Sequence, residues 1–180
     1  FFFPPFTSKK ILKKYKKKIT NINFIVGDFA ENNRKNNFKK CLIMDNGTRS
    51  LSSLINKTVP YLKKINNVEF YVCIDHLSQK FKDQIYMSNN IVPVSGLKNM
   101  HEKLSEADIV IARGGFNTIS ECLVLKKPAL FFNEKNNPEV SENLRLLTKK
   151  YKLACLINKG DWGKNFQKKL NSFIKKDSKR

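Results

Sequence analysis

Short apolar runs alternate with amphipathic stretches along this chain, from about residue 41 to its end. Apolar runs bounded by polar residues are typical of buried strands. They predict six strands, at residues 41–44, 68–74, 91–94, 107–112, 128–132 and 154–157. Between them, apolar residues recur three and four positions apart, which predicts helices with one buried face. These helices span residues 50–64, 77–85, 99–105, 118–126 and 139–151, and a closing helix carries Trp162, Phe166, Leu170, Phe173 and Ile174 on one side. Pro60 is expected to shorten or kink the first of them.

Strands that alternate with helices predict βαβ units with right-handed crossovers. We therefore expect an α/β fold, a Rossmann-like parallel sheet with helices on both faces. Ligands of such sheets bind outside the carboxyl ends of the strands, so the loops that follow the strands are where a site is expected.

Residues 1–40 do not continue this pattern, and we expect them to be the end of a preceding domain or a linker, followed by one domain over residues 41–180. Within this segment, residues 9–19 predict a basic helix with a narrow apolar side, and residues 23–27 a strand. The helix fits either an anionic membrane surface or plain solvation in a lysine-rich protein.

The formal net charge of +20 over 180 residues is extreme, but lysine is accompanied by an excess of asparagine, isoleucine and phenylalanine. An AT-rich coding sequence produces that mixture. The remaining charge favours phosphate-bearing ligands or an anionic membrane. It also raises the alternative of a nucleic-acid-binding domain, which we disfavour because the aromatic residues lie in core-like runs instead of alternating with lysines. Four widely spaced cysteines predict buried free thiols in a reducing cytoplasm.

The stretch RGGFNTISE, residues 113–121, lies between a predicted strand and a predicted helix. Its two glycines, Gly114 and Gly115, let the backbone turn sharply and approach a ligand closely. The helix start offers free amides and a positive dipole end, which suit a diphosphate. Asn117 adds a short polar group, and Glu121 is placed to accept hydrogen bonds from a ribose. An equally weighted alternative is that Thr118 and Glu121 form a capping box with no ligand.

The longer segment ADIVIARGGFNTISECLVLKKPALFF resembles the C-terminal domain of family-28 glycosyltransferases, which have the two-domain GT-B fold. That group includes the enzyme that adds N-acetylglucosamine to the lipid-linked peptidoglycan precursor. The matching positions are Asp108, Arg113-Gly114-Gly115, Thr118 with Glu121, and Lys127-Pro128. Lys126 stands where the family usually has glycine. A later family feature, Gln-x-x-x-Asn on a helix, aligns with Glu139 to Asn143.

The resemblance implies roles for these positions. Thr118 and the amides around Gly115 would hold the diphosphate of a nucleotide sugar, and Glu121 its ribose. The loop Asn46-Gly47-Thr48 would correspond to the glycine-rich loop that faces the cleft, although it departs from the family's Gly-Gly pattern. The segment 133–143 would reach the sugar. Glu139 replaces the family's sugar-recognising glutamine, so the identity of the sugar stays open.

The function that the resemblance implies is hexosyl transfer from a UDP-sugar to a lipid-linked or cell-surface glycan acceptor. The chain would be the donor half, cytoplasmic or at the inner face of the membrane, and the acceptor half would lie on missing N-terminal sequence or on a partner chain. No metal and no cofactor is implied, because the helix dipole and Arg113 would neutralise the leaving diphosphate. A nucleotide-sugar hydrolase of the pseudaminic acid pathway type is the alternative.

Neither histidine belongs to a catalytic constellation that can be read from the sequence. His76 follows Asp75 at the carboxyl end of a predicted strand, which makes it a weak catalytic candidate against the alternative of an ordinary polar loop. His101 lies among polar residues of a predicted helix, and we expect it to be a solvated surface group.

Overall fold

The computed structural model describes residues 2–3, 20–21, 39–45, 49–132, 134, 136–148 and 154–177. The predicted helix at residues 9–19, the predicted strand at 23–27 and the loop 46–48 lie outside the described residues. In the described part, one sheet contains six strands. They are β1 (Lys40–Ile43), β2 (Glu69–Cys73), β3 (Ile91–Val94), β4 (Ile109–Arg113), β5 (Ala129–Phe132) and β6 (Ala154–Ile157). A separate short parallel pair joins Phe2–Phe3 to Thr20–Asn21.

The six strands lie in the order β3-β2-β1-β4-β5-β6, and every neighbouring pair is parallel. Strands β2 and β3 follow one another on one side of β1. Strand β4 then lies on the other side of β1, and β5 and β6 follow it outward. This doubly wound order places a topological switch point between β1 and β4, and ligands of such folds bind in the crevice at that point. The central pair is in register from Cys41 opposite Ile109 to Ile43 opposite Ile111.

Helices cover both faces of the sheet because successive strand residues point to opposite sides. The helices are α1 (Ser52–Leu62), α2 (Gln79–Tyr86), α3 (Leu97–Glu106), α4 (Phe116–Val124), α5 (Pro138–Leu146) and α6 (Phe166–Asp177). One core holds α1, α2 and α6 against the side of β1 that carries Cys41 and Ile43. The other holds α3, α4 and α5 against the side that carries Leu42 and Met44. The predicted fold class is confirmed.

Aromatic residues of the strands and of α6 are core residues, among them Phe70, Phe131 and Phe166. Phe70 and Phe166 pack edge to face with ring centroids 6.3 Å apart. A single-stranded nucleic acid would need such rings exposed as stacking surfaces. Their burial agrees with the sequence argument against a nucleic-acid-binding domain.

Helix α1 runs through Pro60 and ends two residues later, so the proline lies in its last turn. Thr58 anchors this helix to the turn that precedes α6. Its hydroxyl donates to the Leu54 carbonyl oxygen at 2.8 Å and accepts from the Gly163 amide at 2.9 Å. A buried hydroxyl with both partners satisfied costs little and fixes the relative placement of the two elements.

At the starts of α5 and α6, the difference from the predicted helix bounds has a local reason. Helix α5 begins at Pro138, because the Asn137 side chain accepts from the Val140 amide at 3.2 Å and proline suits the first helical position. Trp162 precedes α6 instead of lying on it, between two 3₁₀ turns at Lys159–Asp161 and Gly163–Asn165. It still contributes to the same core as Phe166.

Candidate functional site

The turn after β4 lies at the carboxyl edge of the sheet, on one side of the switch point. Strand β4 ends at Arg113, Gly114 and Gly115 form the turn, and α4 begins at Phe116. A β-carbon on Gly114 would come within 2.6 Å of the Leu144 side chain, whereas the space around Gly115 is open. Gly114 is therefore required by the packing of α5, and Gly115 leaves the start of α4 accessible to a ligand.

Helix α4 starts earlier than the sequence predicts, and this decides between the two interpretations of Thr118 and Glu121. The N-cap is Gly115, without a side-chain capping bond, so Thr118 is the third helical residue and Glu121 the sixth. A capping box requires the Ser or Thr at the N-cap itself and the acidic residue three positions later. The capping-box alternative is therefore wrong for this pair. Thr118 is 3% exposed and Glu121 9% exposed.

Glu121 faces helix α3, where His101 approaches it. The Nε2 atom of His101 lies 3.4 Å from Oε1 of Glu121. Burial raises the pKa of the Glu121 carboxyl above its ordinary value, and His101 acts in the opposite direction. The prediction that His101 is a solvated surface group is wrong, because helix packing brings its ring against a buried carboxylate. Nothing in the sequence pattern indicates this pairing.

Arg113 is paired with Glu134, which follows β5. The two side chains form an ion pair with 2.8 Å between Nε and Oε2, and both atoms are buried. Strand pairing explains the contact, since Arg113 lies opposite Phe132 in the register of β4 and β5. The sequence does not indicate Glu134, because its contact with Arg113 depends on which strands are neighbours and on their register.

Asp45 follows β1, the strand next to β4 on the other side of the switch point. Asp45 is 3% exposed, and its Oδ2 accepts from the Leu51 amide at 3.2 Å and the Ser52 hydroxyl at 2.9 Å, which fixes the start of α1. Its Oδ1 is buried and has no hydrogen-bond partner among the described residues. The predicted ligand residues Asn46, Gly47 and Thr48 come next in the chain and lie outside the described residues.

Asp75 connects two further loops at the same edge of the sheet, the loop after β2 and the loop after β3. Its carboxylate accepts from the Ser95 hydroxyl and, at 3.3 Å, from the Gly96 amide, so it ties the loop after β2 to the start of α3. This is the polar-loop role that the sequence left open for the Asp75-His76 pair. His76 itself is partly exposed.

Helix α5 brings the second predicted segment next to the glycine turn through the contact of Leu144 with Gly114. Glu139 is exposed in its first turn, and Asn143 lies one turn later on the same side of the helix. The Asn143 amide nitrogen is buried without a hydrogen-bond partner among the described residues. Asn117, by contrast, is exposed at the start of α4.

Two residues of the segment that resembles family-28 glycosyltransferases stabilise the fold at the opposite edge of the sheet. Asp108 Oδ2 accepts from the amides of Lys39 and Lys40, both at 2.9 Å, which fastens the start of β1 to the start of β4. The Lys127 amine donates to the carbonyl oxygens of Ser105 and Ala107, both at 2.7 Å, and so closes the end of α3. They lie away from the switch point.

The described part of the chain contains no helix long and apolar enough to cross a membrane. It also contains no group of three or more His, Cys, Asp or Glu side chains that could hold a metal ion. Three of the four cysteines, Cys41, Cys73 and Cys122, are buried free thiols, and Cys155 is half-buried.

The sheet order and the switch-point turn define a doubly wound α/β domain of the Rossmann-like class. Residues 46–179 match the model of the glycosyltransferase family 28 C-terminal domain, and the chain belongs to that family. Comparison with curated protein sequences returned no match.

Solved structures of glycosyltransferases share the fold at 15% sequence identity. The glycosyltransferase SnogD from Streptomyces nogalater superposes with a TM-score of 0.55, covering 78% of this chain and 37% of its own. The glycotransferase of kitacinnamycin gives 0.62, with 92% and 42% covered. The glycosyltransferase VinC in complex with DTDP gives 0.56, with 78% and 34% covered. The chain therefore spans well under half the length of these proteins, and the likeness establishes the fold of the matched domain, which is of the type found in GT-B glycosyltransferases.

Proposed function

We propose that this chain is the donor-binding domain of a hexosyltransferase that transfers a sugar from a UDP-sugar to a lipid-linked or cell-surface glycan. The observation that carries the proposal is the Gly114-Gly115 turn at the switch point, which leads directly into the first turn of α4. Membership of family 28 supports a glycosyltransferase. The nucleotide DTDP in the structurally similar VinC supports a nucleotide sugar as the ligand.

In this proposal the diphosphate lies against the start of α4. The first four amides of a helix lack intrahelical partners, and the helix dipole adds a partial positive charge there. The open space at Gly115 lets phosphate oxygens approach these amides closely. Thr118 is buried, so its contribution would come through its backbone amide in the first turn rather than through a freely exposed hydroxyl.

Arg113 would stabilise the negative charge that develops on the leaving diphosphate. Its Nε is taken by Glu134, but a guanidinium has five N–H donors, so the others remain for phosphate oxygens. The ion pair holds the guanidinium in place and lowers the net charge of the site. We therefore assign the larger part of diphosphate binding to the amides of α4 and a smaller part to Arg113.

Glu121 would accept hydrogen bonds from the two ribose hydroxyls, as a carboxylate with little exposure to water can do strongly. On the far side of the turn, Asn143 offers a buried amide nitrogen that has no partner among the described residues and that a sugar hydroxyl would satisfy. Glu139, exposed one turn earlier, would face the same sugar. The predicted ligand residues Asn46, Gly47 and Thr48 follow β1 in the chain and would belong to the same proposed site.

The acceptor and the general base belong, in this proposal, to an acceptor domain encoded upstream or carried by a partner chain. An acceptor held in a lipid bilayer would place the protein at the cytoplasmic face of the membrane. The strong positive charge of the chain is compatible with an anionic lipid surface. Residues 1–40 would then belong to the connection between the two halves.

The proposal is tested by titrating this chain with UDP and, separately, with ADP in an isothermal calorimeter. We expect weak binding of UDP and markedly weaker binding of ADP. The proposal is overturned if neither nucleotide binds at millimolar concentration, or if both bind equally well.

A further inference from the structure

The contact between His101 and Glu121 joins two helices at the edge of the proposed nucleotide site. Helices α3 and α4 cover the same face of the sheet, and their side chains share one core. The 3.4 Å contact uses Nε2 of His101 and Oε1 of Glu121. Glu121 is almost buried, whereas His101 keeps about a third of its side chain exposed. A partly exposed imidazole is thus placed against the carboxylate to which the ribose was assigned.

A carboxylate in this position needs a partner, since an isolated buried charge is costly. Burial alone favours the protonated form, and this is the larger of the two influences on Glu121. A protonated carboxyl keeps fewer acceptor sites and accepts more weakly than a carboxylate. The affinity for a ribose therefore depends on the group that keeps the Glu121 carboxylate ionised and oriented.

We propose that His101 is the positioning residue of the nucleoside subsite, holding the Glu121 carboxylate through Oε1 so that its other oxygen can accept from the ribose hydroxyls. This inference rests on the proposed function, because it assumes that Glu121 binds the nucleoside. His101 acts through Glu121 and does not itself contact the reacting atoms.

Charged groups on the neighbouring elements α3 and β4 form ion pairs of their own. On α3, the amine of Lys103 lies 3.6 Å from Glu102 and 2.9 Å from Glu106. On β4, Arg113 is paired with Glu134. Cys122, next to Glu121 on α4, is fully buried, and burial raises its thiol pKa far above the ordinary range, so it stays neutral. Among the described residues, His101 is the ionisable side chain that contacts the Glu121 carboxylate.

Two substitutions separate orientation from charge. His101→Gln keeps an N–H donor but can carry no charge, and His101→Ala keeps neither. Glu102→Gln, on the next residue of the same helix, is the matched control because Glu102 is exposed and turned toward Lys103. Each protein is titrated with UDP at pH 8.0 and at pH 5.5, and the affinity of each variant is divided by that of the parent at the same pH. This ratio removes the titration of the UDP phosphate itself.

We expect His101→Ala to weaken UDP binding about threefold or more at both pH values, because it removes the contact that orients the Glu121 carboxylate. His101→Gln should restore binding to within about twofold of the parent at pH 8.0 and lose about threefold or more at pH 5.5, because burial raises the pKa of Glu121 and an uncharged glutamine cannot oppose that rise. Glu102→Gln should follow the parent at both.

The inference is overturned if the parent binds UDP and Glu121→Gln weakens it, while both His101 variants match the parent at each pH. Failure of the parent to bind UDP would overturn the proposed function together with this inference. In the Glu121→Gln variant, the added substitution His101→Gln should not change how the affinity for UDP depends on pH. A change in that dependence would also contradict the inference, since it would show that His101 acts on another group.

Discussion

A β-carbon on Gly114 would lie 2.6 Å from the side chain of Leu144, closer than two carbon atoms can approach. Leu144 is buried in the core between α5 and the sheet, so it has little room to retreat. Packing against Leu144 therefore requires glycine at position 114. The same packing places α5, with Asn143, beside the start of α4. One contact links the two segments in which the sequence resembles family 28.

This relationship predicts opposite outcomes for two neighbouring glycines. Gly114→Ala should lower the free energy of unfolding by about 1–3 kcal/mol, the usual cost of overpacking a core. Gly115→Ala meets open space, and its φ of −70° suits alanine, so it should be neutral or stabilising by up to about 1 kcal/mol. Urea denaturation of both variants checks this. Equal effects at the two positions would show that Leu144 does not constrain the turn.

Lys126 adopts a left-handed backbone, with φ of 52°, at the position where family 28 usually has glycine. This conformation costs an L-residue roughly 1–2 kcal/mol, and glycine avoids that cost. The greater chain entropy of glycine in the unfolded state offsets about half of this benefit. Lys126→Gly should therefore raise the free energy of unfolding by up to about 1 kcal/mol. Lys126→Ala is the control, because it removes the same charge and keeps the strain. The interpretation fails if alanine stabilises as much as glycine in a thermal melt.

The strands could be predicted closely because each is a short apolar run with polar ends. Ile91–Val94 and Ala154–Ile157 have the predicted bounds. The start of α4 was missed by two residues, since Gly115 occupies its N-cap without a side-chain bond, and sequence signals for a helix start rely on capping side chains.

The candidate site could be predicted only as far as it is continuous in sequence. Arg113 to Glu121 form one turn and one helix, and a motif reveals them together. Glu134 and His101 reach the site through strand register and helix packing, which local patterns do not encode. The capping-box alternative could not be resolved from sequence either, because it depends on where the helix begins.

Glu121→Gln changes charge with little change in shape, so its effect on the fold can be separated from its effect on binding. Because burial raises the folded-state pKa of Glu121, this carboxyl favours the fold at acidic pH, and that contribution is lost as the pH rises through the folded pKa. At neutral pH the glutamine therefore should not lower the melting temperature and is expected to raise it slightly. Any loss of ligand affinity in this variant is then not a consequence of unfolding.

The most direct test of the donor-site assignment is the affinity of Glu121→Gln for UDP relative to the parent at neutral pH, with melting temperatures measured in parallel. Loss of charge-assisted hydrogen bonds to the ribose, each worth about 1.5–3 kcal/mol, should weaken UDP binding about tenfold or more. The melting temperature should not fall. Unchanged UDP affinity in Glu121→Gln would contradict the assignment of Glu121 to the ribose, and would leave the nucleotide to the amides at the start of α4 and Arg113.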